Sequence, residues 1–295
     1  MAPNNPIYQE AFSKYKDKII DGRLISGKIE SGLYGRVLGL KKKGIIPSVS
    51  VILVEGDKAS SIYVRNKELS AQRCDILSQK YSYPATVTER ELLNKIDELN
   101  NDTLVHGILV QVPLPAHISE KNIMNAISPL KDVDGFHPLN AGKIFTGDSP
   151  FYPCTPYGII KMLEFYDITV KGKNCAIIGQ SNIVGKPLSI MLMNRLATVM
   201  SLNIFTENIK GFTRKADILI SAAGKPGLVD GSFIKKGCVV IDVGISRVGG
   251  KIRGDADFEG IIDKVSKITP VPGGVGPVTV SILMENTIKA AELLK

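Results

Sequence analysis

The chain of 295 residues is bounded first by what it lacks. No apolar run reaches the ~18 residues that a membrane-crossing helix needs. Residues 1–20, MAPNNPIYQEAFSKYKDKII, have no charged-then-apolar leader pattern. Glu10 and Asp17 in that stretch argue against an acid-poor transit peptide. A cytosolic protein with no membrane partner is expected. Cysteine is sparse: Cys74, Cys154, Cys175 and Cys238 stand far apart and form no C-x-x-C pair. Disulfide frameworks and zinc sites need clustered spacing. Only His106, His117 and His137 are available to supplement them, so no metal site is expected. Cys175 and Cys238 lie in apolar runs and read as buried packing residues. No long basic block and no aromatic-rich basic motif is present, which disfavours nucleic acid as a partner. Internal repeats and low-complexity segments are missing too.

What is present is the balance of a soluble globular protein, 44% hydrophobic and 22% charged. At roughly 100–200 residues per domain the length fits one large or two ordinary domains. The net charge of +8 either draws anionic ligands toward the surface or is a solvated lysine-rich coat.

Apolar runs bounded by turns alternate with longer amphipathic segments, the pattern of an α/β protein with mainly parallel sheets. In the first half, strands are expected at 48–54, 80–87 and 106–115, with helices at 57–73, 89–100 and 119–127. Asp57 is placed to cap the first of these helices. The stretch 131–156, rich in Gly, Pro and Asp, reads as a long functional loop and domain junction. The second half alternates again. Helices are expected at 157–166 and 182–195, and strands at 174–179, 197–202, 217–223 and 238–244. A last helix begins near Pro277, where a missing N–H does no harm.

CAIIGQSNIVGKP is a strand, a turn and a helix. Its Gly179, Ser181 and Gly185 form G-x-S-x-x-x-G in place of the usual G-x-G-x-x-G. The physics is shared: a tight turn brings backbone N–H groups and a helix N-terminus up to a pyrophosphate, and Gly185 lets helix and strand pack closely. Such a turn is often only a turn. Here, though, later strands end in Ala222-Ala223-Gly224 and Val243-Gly244, and small residues at strand carboxyl ends let a cofactor lie against the backbone.

Three further segments carry candidate chemistry. In GDKASSIYVRNKELSA, Tyr63 and Lys67 are four residues apart and share a helical face, although an ordinary amphipathic face has the same spacing. Gln111, at the end of the strand in VHGILVQVPLP, is a polar amide that needs partners; a loop-capping role would also satisfy it. ITPVPGGVGPVTV packs prolines and glycines into a stiff loop before the last helix, and its plainer reading is a linker.

Together with KDVDGFHPLN and PCTP, these motifs closely resemble the bifunctional methylenetetrahydrofolate dehydrogenase/methenyltetrahydrofolate cyclohydrolase family. The likeness runs in order from about residue 19 to 290, and residues 1–18 are an extension without a counterpart. The resemblance implies a two-domain α/β fold. An N-terminal catalytic domain, 1–156, takes back the C-terminal helix 277–295. A Rossmann-type dinucleotide-binding domain occupies 157–276, and the active site lies in the cleft between the two. It also implies a homodimer. Lys67 matches the family's catalytic lysine, Tyr63 the tyrosine against the folate, and Gln111 the glutamine bonded to the lysine. Asp134 matches the aspartate that binds the pterin. Pro272, Gly273 and Gly276 fall among the folate-binding positions, and Gly179, Gln180, Ser181, Ile204 and Ile245 among the cofactor-binding ones.

The implied activity is oxidation of methylene-tetrahydrofolate with NAD(P), then hydrolysis to formyl-tetrahydrofolate. Hydride loss needs alignment more than a base. Attack by water needs proton transfer, which a lysine partly desolvated beside Tyr63 is suited to perform. Asp134 can take two N–H bonds from the amidine-like edge of a pterin. NADP is the family's usual cofactor. NAD stays open, because Gln180 and Ile204 stand where basic or hydroxyl residues often contact the ribose phosphate. Two other readings compete. An oxidoreductase for a different anionic substrate would have no use for the DVDGF and PVPGGVGP loops, and a non-catalytic nucleotide sensor would not need Lys67 beside Tyr63.

Overall fold

The computed structural model describes residues 14–56 and 58–294. Asp57, expected to cap a helix, lies outside them, as do residues 1–13 of the extension. The chain divides into two compact units, residues 26–154 with 279–295, and residues 14–25 with 155–278. The family-based boundaries had left residues 14–25 with the first part of the chain.

The first unit is built on helix α1 (Gly22–Lys41), strand β1 (Ser48–Val54), α2 (Lys58–Arg73), β2 (Leu77–Tyr83), α3 (Glu89–Asn101), β3 (Gly107–Val110), α4 (Glu120–Ala126) and α5 (Pro138–Thr146). Its sheet is parallel throughout, in the order β2-β1-β3. The central strand, SVSVILV, is buried along its whole length, as expected of a strand covered on both faces. Residues Leu92, Ile96 and Leu99 of α3 recur at helical spacing and pack under Ile52, Ile108 and Val110 of the sheet. Thr88 and Glu91 cap α3 reciprocally, which satisfies two of its open N–H groups.

Two helices of this unit were absent from the expectation, and β2 and β3 are shorter than expected. Helix α1 was not foreseen at all. It buries Ile25, Leu33, Val37 and Leu40 on one face, and Asp21 Oδ1 accepts from Arg23 N at 2.9 Å and Leu24 N at 3.3 Å at its start. Within 131–156, read as structureless, α5 forms with His137 as N-cap, Pro138 in its first turn and Gly147 at φ +82° as its left-handed stop.

The second unit contains α6 (Cys154–Phe165), β4 (Asn174–Ile178), α7 (Gly185–Met193), β5 (Thr198–Leu202), α8 (Ile209–Thr213), β6 (Ile218–Ser221), β7 (Val239–Asp242), the hairpin β8 (Ser246–Val248) and β9 (Lys251–Arg253), α9 (Phe258–Ile261), β10 (Lys267–Ile268) and the first turn of α10 (Val275–Leu293), whose remainder, from Thr279 on, belongs to the first unit. Its main sheet is parallel, in the order β10-β7-β6-β4-β5. This is a Rossmann-type arrangement, over a core that includes Ala176, Leu219, Val240 and Ile261. Helix α10 starts two residues before Pro277, so that proline sits inside the first turn and not at its first position.

The start of the described chain belongs to this second sheet. Ile19 bridges Ile268 in parallel, and Ile20 N donates to Ile268 O at 2.8 Å. Lys18 Nζ reaches Ile262 O at 2.9 Å and Lys267 Nζ reaches Asp17 O at 2.6 Å. Residues 17–20 therefore line the edge of β10. Among the described residues no helix is long and apolar enough to cross a membrane.

Candidate active site and cofactor turn

In the first unit, α2 presents Tyr63 and Lys67, both half-buried, one turn apart. Lys67 Nζ donates to Gln111 Oε1 at 3.1 Å. Gln111 follows β3, and its own backbone N–H is tied to Ile52 O at 2.9 Å. Its amide orientation is set from the other end: Nε2 donates to Val112 O at 2.7 Å. A carbonyl can only accept, so the amide oxygen must face the lysine. Burial raises the pKa of the Tyr63 phenol, which keeps it a neutral ring and hydroxyl at ordinary pH.

The KDVDG segment separates structural from available charge. Lys131 is buried and donates to Leu99 O at 2.9 Å and Asp102 O at 2.7 Å. Asp132 is buried as well. It accepts from Phe136 N at 3.0 Å, His137 N at 2.8 Å and Asn140 Nδ2 at 2.9 Å. Burial pushes its carboxyl pKa upward against those bonds. Asp134 is only half-buried. Its carboxylate stands beside the Cys154 thiol, which also feels the charge of Lys67. The structure thus brings Lys67, Gln111 and Asp134 into one neighbourhood, with Tyr63 a turn away on the lysine's own helix.

Burial, with the Asp134 charge, drives the Cys154 thiol well above its ordinary range. It is therefore an S–H group, donating to Val133 O at 3.3 Å, and not a thiolate. Cys154 and Asn286, which bonds to the same loop, were not foreseen as site residues. Neither carries a local sequence signal, since their partners lie 21 and 153 residues away.

In the second unit, the turn after β4 fits a dinucleotide. Gly179 has φ +111°, and a Cβ there would meet Ala222 O at 2.4 Å; one on Gly185 would meet Gly179 O at 1.8 Å. Both glycines are demanded by backbone lying on backbone. The N-cap of α7, Val184, makes no side-chain cap. Ser181 Oγ accepts from Val184 N at 3.1 Å. Gln180 is turned to the end of β5: its Nε2 donates to Ser201 O at 3.0 Å and Ser201 Oγ at 3.1 Å, and its Oε1 accepts from Asn203 Nδ2 at 2.9 Å. Beyond lie Ile204 and Phe205, 90% and 85% exposed.

The Ala222-Ala223-Gly224 turn after β6 is held from below by Asp255. This buried carboxylate accepts from Ser221 Oγ at 2.8 Å, Ala223 N at 2.8 Å and Gly224 N at 3.3 Å. Asp242, at the end of β7, accepts from Gly244 N, Asp255 N and Ala256 N. Burial pushes its pKa up to about 7, opposed by those backbone donors. Ile245 is 43% exposed just after this turn. Pro272, Gly273 and Gly276 lie in and after the loop entering α10, where Gly273 O accepts from Gly22 N at 3.0 Å.

Two family models cover most of the chain. Residues 20–134 match the tetrahydrofolate dehydrogenase/cyclohydrolase catalytic domain, and residues 153–295 match the NAD(P)-binding domain of the same family. The chain belongs to the tetrahydrofolate dehydrogenase/cyclohydrolase family. Among relatives, the bifunctional protein FolD of Halalkalibacterium halodurans is 47% identical over 274 residues, covering 93% of this chain and 98% of the relative. The family member from Campylobacter jejuni, a FolD methylenetetrahydrofolate dehydrogenase/cyclohydrolase, superposes with a TM-score of 0.91 at 47% identity, covering 93% of this chain and 98% of that one. The Trypanosoma brucei enzyme, solved with NADP cofactor and inhibitor, gives a TM-score of 0.89 at 36% identity over 93% of this chain and 97% of that one. The first matched segment ends at Asp134, inside DVDGF, and the second begins at Pro153, the start of PCTP. Among the described residues no group of three or more His, Cys, Asp or Glu side chains could hold a metal ion.

Proposed function

We propose that this protein oxidises methylene-tetrahydrofolate to methenyl-tetrahydrofolate with NADP, then hydrolyses that product to formyl-tetrahydrofolate. One observation carries the reading. Lys67 is oriented by Gln111 at 3.1 Å and shares its surroundings with the half-buried Asp134.

Each side chain has a task that its geometry supports. Asp134, acceptor-only when ionised, takes two N–H bonds from the pterin edge. Tyr63 offers its ring to the folate, with a phenol that stays neutral. NADP, when bound, supplies the hydride acceptor; the turn at Gly179 and Gly185 and the open start of α7 are shaped for its pyrophosphate. A nitrogen lone pair of the substrate stabilises the cation left by hydride loss, so this half-reaction needs alignment and no protein base. Hydrolysis is different. A water adds to the one-carbon unit, loses a proton, and a ring nitrogen gains one as the ring opens. Lys67 Nζ moves those protons, and the Gln111 amide keeps it pointed at them.

Lys67→Met tests the assignment. Cyclohydrolase activity, followed by the loss of methenyl absorbance, is expected to vanish while folate binding persists. Wild-type hydrolysis by this variant removes Lys67 from the mechanism. The reading extends to a cytosolic homodimer, supported by the family resemblance alone. Light scattering on the purified protein tests the dimer, and a monomer at micromolar concentration rejects it.

A further inference from the structure

The last helix reaches into the DVDG loop through one buried amide. Asn286 is 5% exposed, and its Nδ2 donates to Val133 O at 2.8 Å and to Tyr152 O at 3.2 Å. The same nitrogen lies 3.7 Å from Cys154 Sγ. These partners belong to two segments that run side by side. Cys154 N donates to Asp134 O at 3.3 Å, and Cys154 Sγ donates to Val133 O at 3.3 Å. The approach is close enough that a Cβ on Gly135, itself at φ +75°, would meet Pro153 N at 2.6 Å. Asn286 is thus the point where the 133–135 loop, the 152–154 segment and α10 are tied together.

We infer that Asn286 is a positioning residue for substrate: it sets the backbone on either side of Asp134, and so the direction in which that carboxylate meets the folate. The inference rests on the reading of Asp134 as the pterin-binding group. The physical reason is direct. Val133 and Gly135 flank Asp134, and a carboxylate that must form two parallel bonds tolerates little rotation of its own Cα. Val133 O and Tyr152 O are acceptors that need partners where they are buried. With both served by one amide, the two segments cannot drift apart without breaking at least one of these bonds. Asp132 fixes the loop from its other side through Phe136 N and His137 N. Between these two anchors only the Asp134 side chain is left to turn toward a ligand. Lys67 and Gln111 are held independently, by α2 and β3, so the inference concerns folate affinity and not proton transfer.

The test compares Asn286→Ala with wild type in the full-length enzyme. The KM for methylene-tetrahydrofolate is expected to rise about tenfold, the scale of losing one well-placed hydrogen bond to a charged group. The NADP KM and kcat are expected to hold, since uniform binding is lost and transition-state chemistry is not. Ile288→Val, which trims a buried methylene from the same helix but removes no hydrogen bond, separates positioning from general loosening of α10. Its folate KM should stay at the wild-type value. If Asn286→Ala does not fold, Asn286→Ser is read in its place; it keeps one donor and should show a smaller rise in folate KM. Wild-type folate KM in a folded Asn286 variant overturns the inference, as does an equal rise in Ile288→Val. Asp134→Ala is measured alongside. If that variant also binds folate normally, the fault lies in the assignment of Asp134. If it loses folate while the Asn286 variants do not, only the positioning role fails.

Discussion

Gly185 and Gly276 offer a paired test in which the same substitution should do opposite things. In Gly185→Ala the new methyl would sit 1.8 Å from Gly179 O, about half of an ordinary non-bonded separation of 3.5 Å or so. The obstacle is backbone, not a side chain that can rotate away. Overpacking costs typically ~1–3 kcal/mol, and a site with no give belongs at or above the upper end. At roughly 2–4 °C per kcal/mol for a protein of this size class, Tm should fall by about 6–12 °C. The alternative is that β4 and α7 part, so that the pyrophosphate turn opens. Either way NADP affinity drops, and a given concentration of NADP should raise Tm less than in wild type, because ligand stabilisation falls as the dissociation constant rises. In Gly276→Ala the new methyl meets nothing within 4 Å. Replacing a helical glycine by alanine is favourable by at most about 1 kcal/mol, so Tm should hold or rise slightly. If Gly276 borders the folate, the folate KM rises without any loss of stability. The assay is thermal unfolding of both variants with and without NADP, followed by KM for each substrate. A Gly185→Ala protein with unchanged Tm and unchanged NADP affinity would refute the close-packing argument outright.

Three other outcomes are expected. Asp132→Asn should destabilise the protein by about 1–3 kcal/mol in urea titrations, since a buried acceptor of three donors is disrupted, whereas Asp134→Asn should leave stability within about 0.5 kcal/mol and weaken folate; equal stabilities would merge their roles. The ratio of kcat/KM for NADP over NAD should lie within about tenfold, or ~1.4 kcal/mol, because Gln180, Asn203 and Ile204 carry no charge for a ribose phosphate, and a thousandfold preference would contradict this. Finally, Cys74, Cys154, Cys175 and Cys238 are all buried, and burial raises the thiols of Cys74, Cys175 and Cys238 to about 12. Iodoacetamide should therefore modify the native protein at none of the four up to about pH 9, and fast labelling of the folded enzyme would show an opening that the packing does not contain.

The strands were the most legible part of the fold, for a physical reason. A strand buried on both faces reads as a near-continuous run of apolar and small residues, so SVSVILV and NCAII announce themselves. Strand β2 lies at a sheet edge with an exposed-and-half-buried alternation, and its expected span was displaced toward the C-terminus. Helix α1 was missed because Gly22, Gly27, Gly32, Gly35 and Gly39 interrupt it, each costing about 1 kcal/mol of intrinsic propensity; packing of Ile25, Leu33, Val37 and Leu40 overrides them. Helix α5 was hidden by a composition that looks like loop, although Pro138 and Gly147 were start and stop signals in plain view. For the site, spacing alone put Tyr63 and Lys67 on one face. The lysine's partner, Gln111, is 44 residues away; it stood out as a polar amide at a strand end, but only the resemblance paired it with the lysine. Local periodicity gives no hint of Asn286 or Asp255, whose bonds span distant segments.

The bridge from Ile19 to Ile268 has a practical consequence for modularity. The nucleotide-binding model covers residues 153–295 as one continuous stretch, but the folded unit takes in residues 14–25 and runs only to Val278. A fragment cut at residue 153 would leave the outer rim of β10 without its neighbour and would strip Ile262 O, Asp263 O and Lys267 of their lysine and backbone partners. Bare strand rims invite pairing with other chains. The cofactor half of this enzyme is therefore not a cassette that can be lifted out by a single cut, and attempts to study it alone should carry residues 14–25 back to it by a linker or a circular permutation.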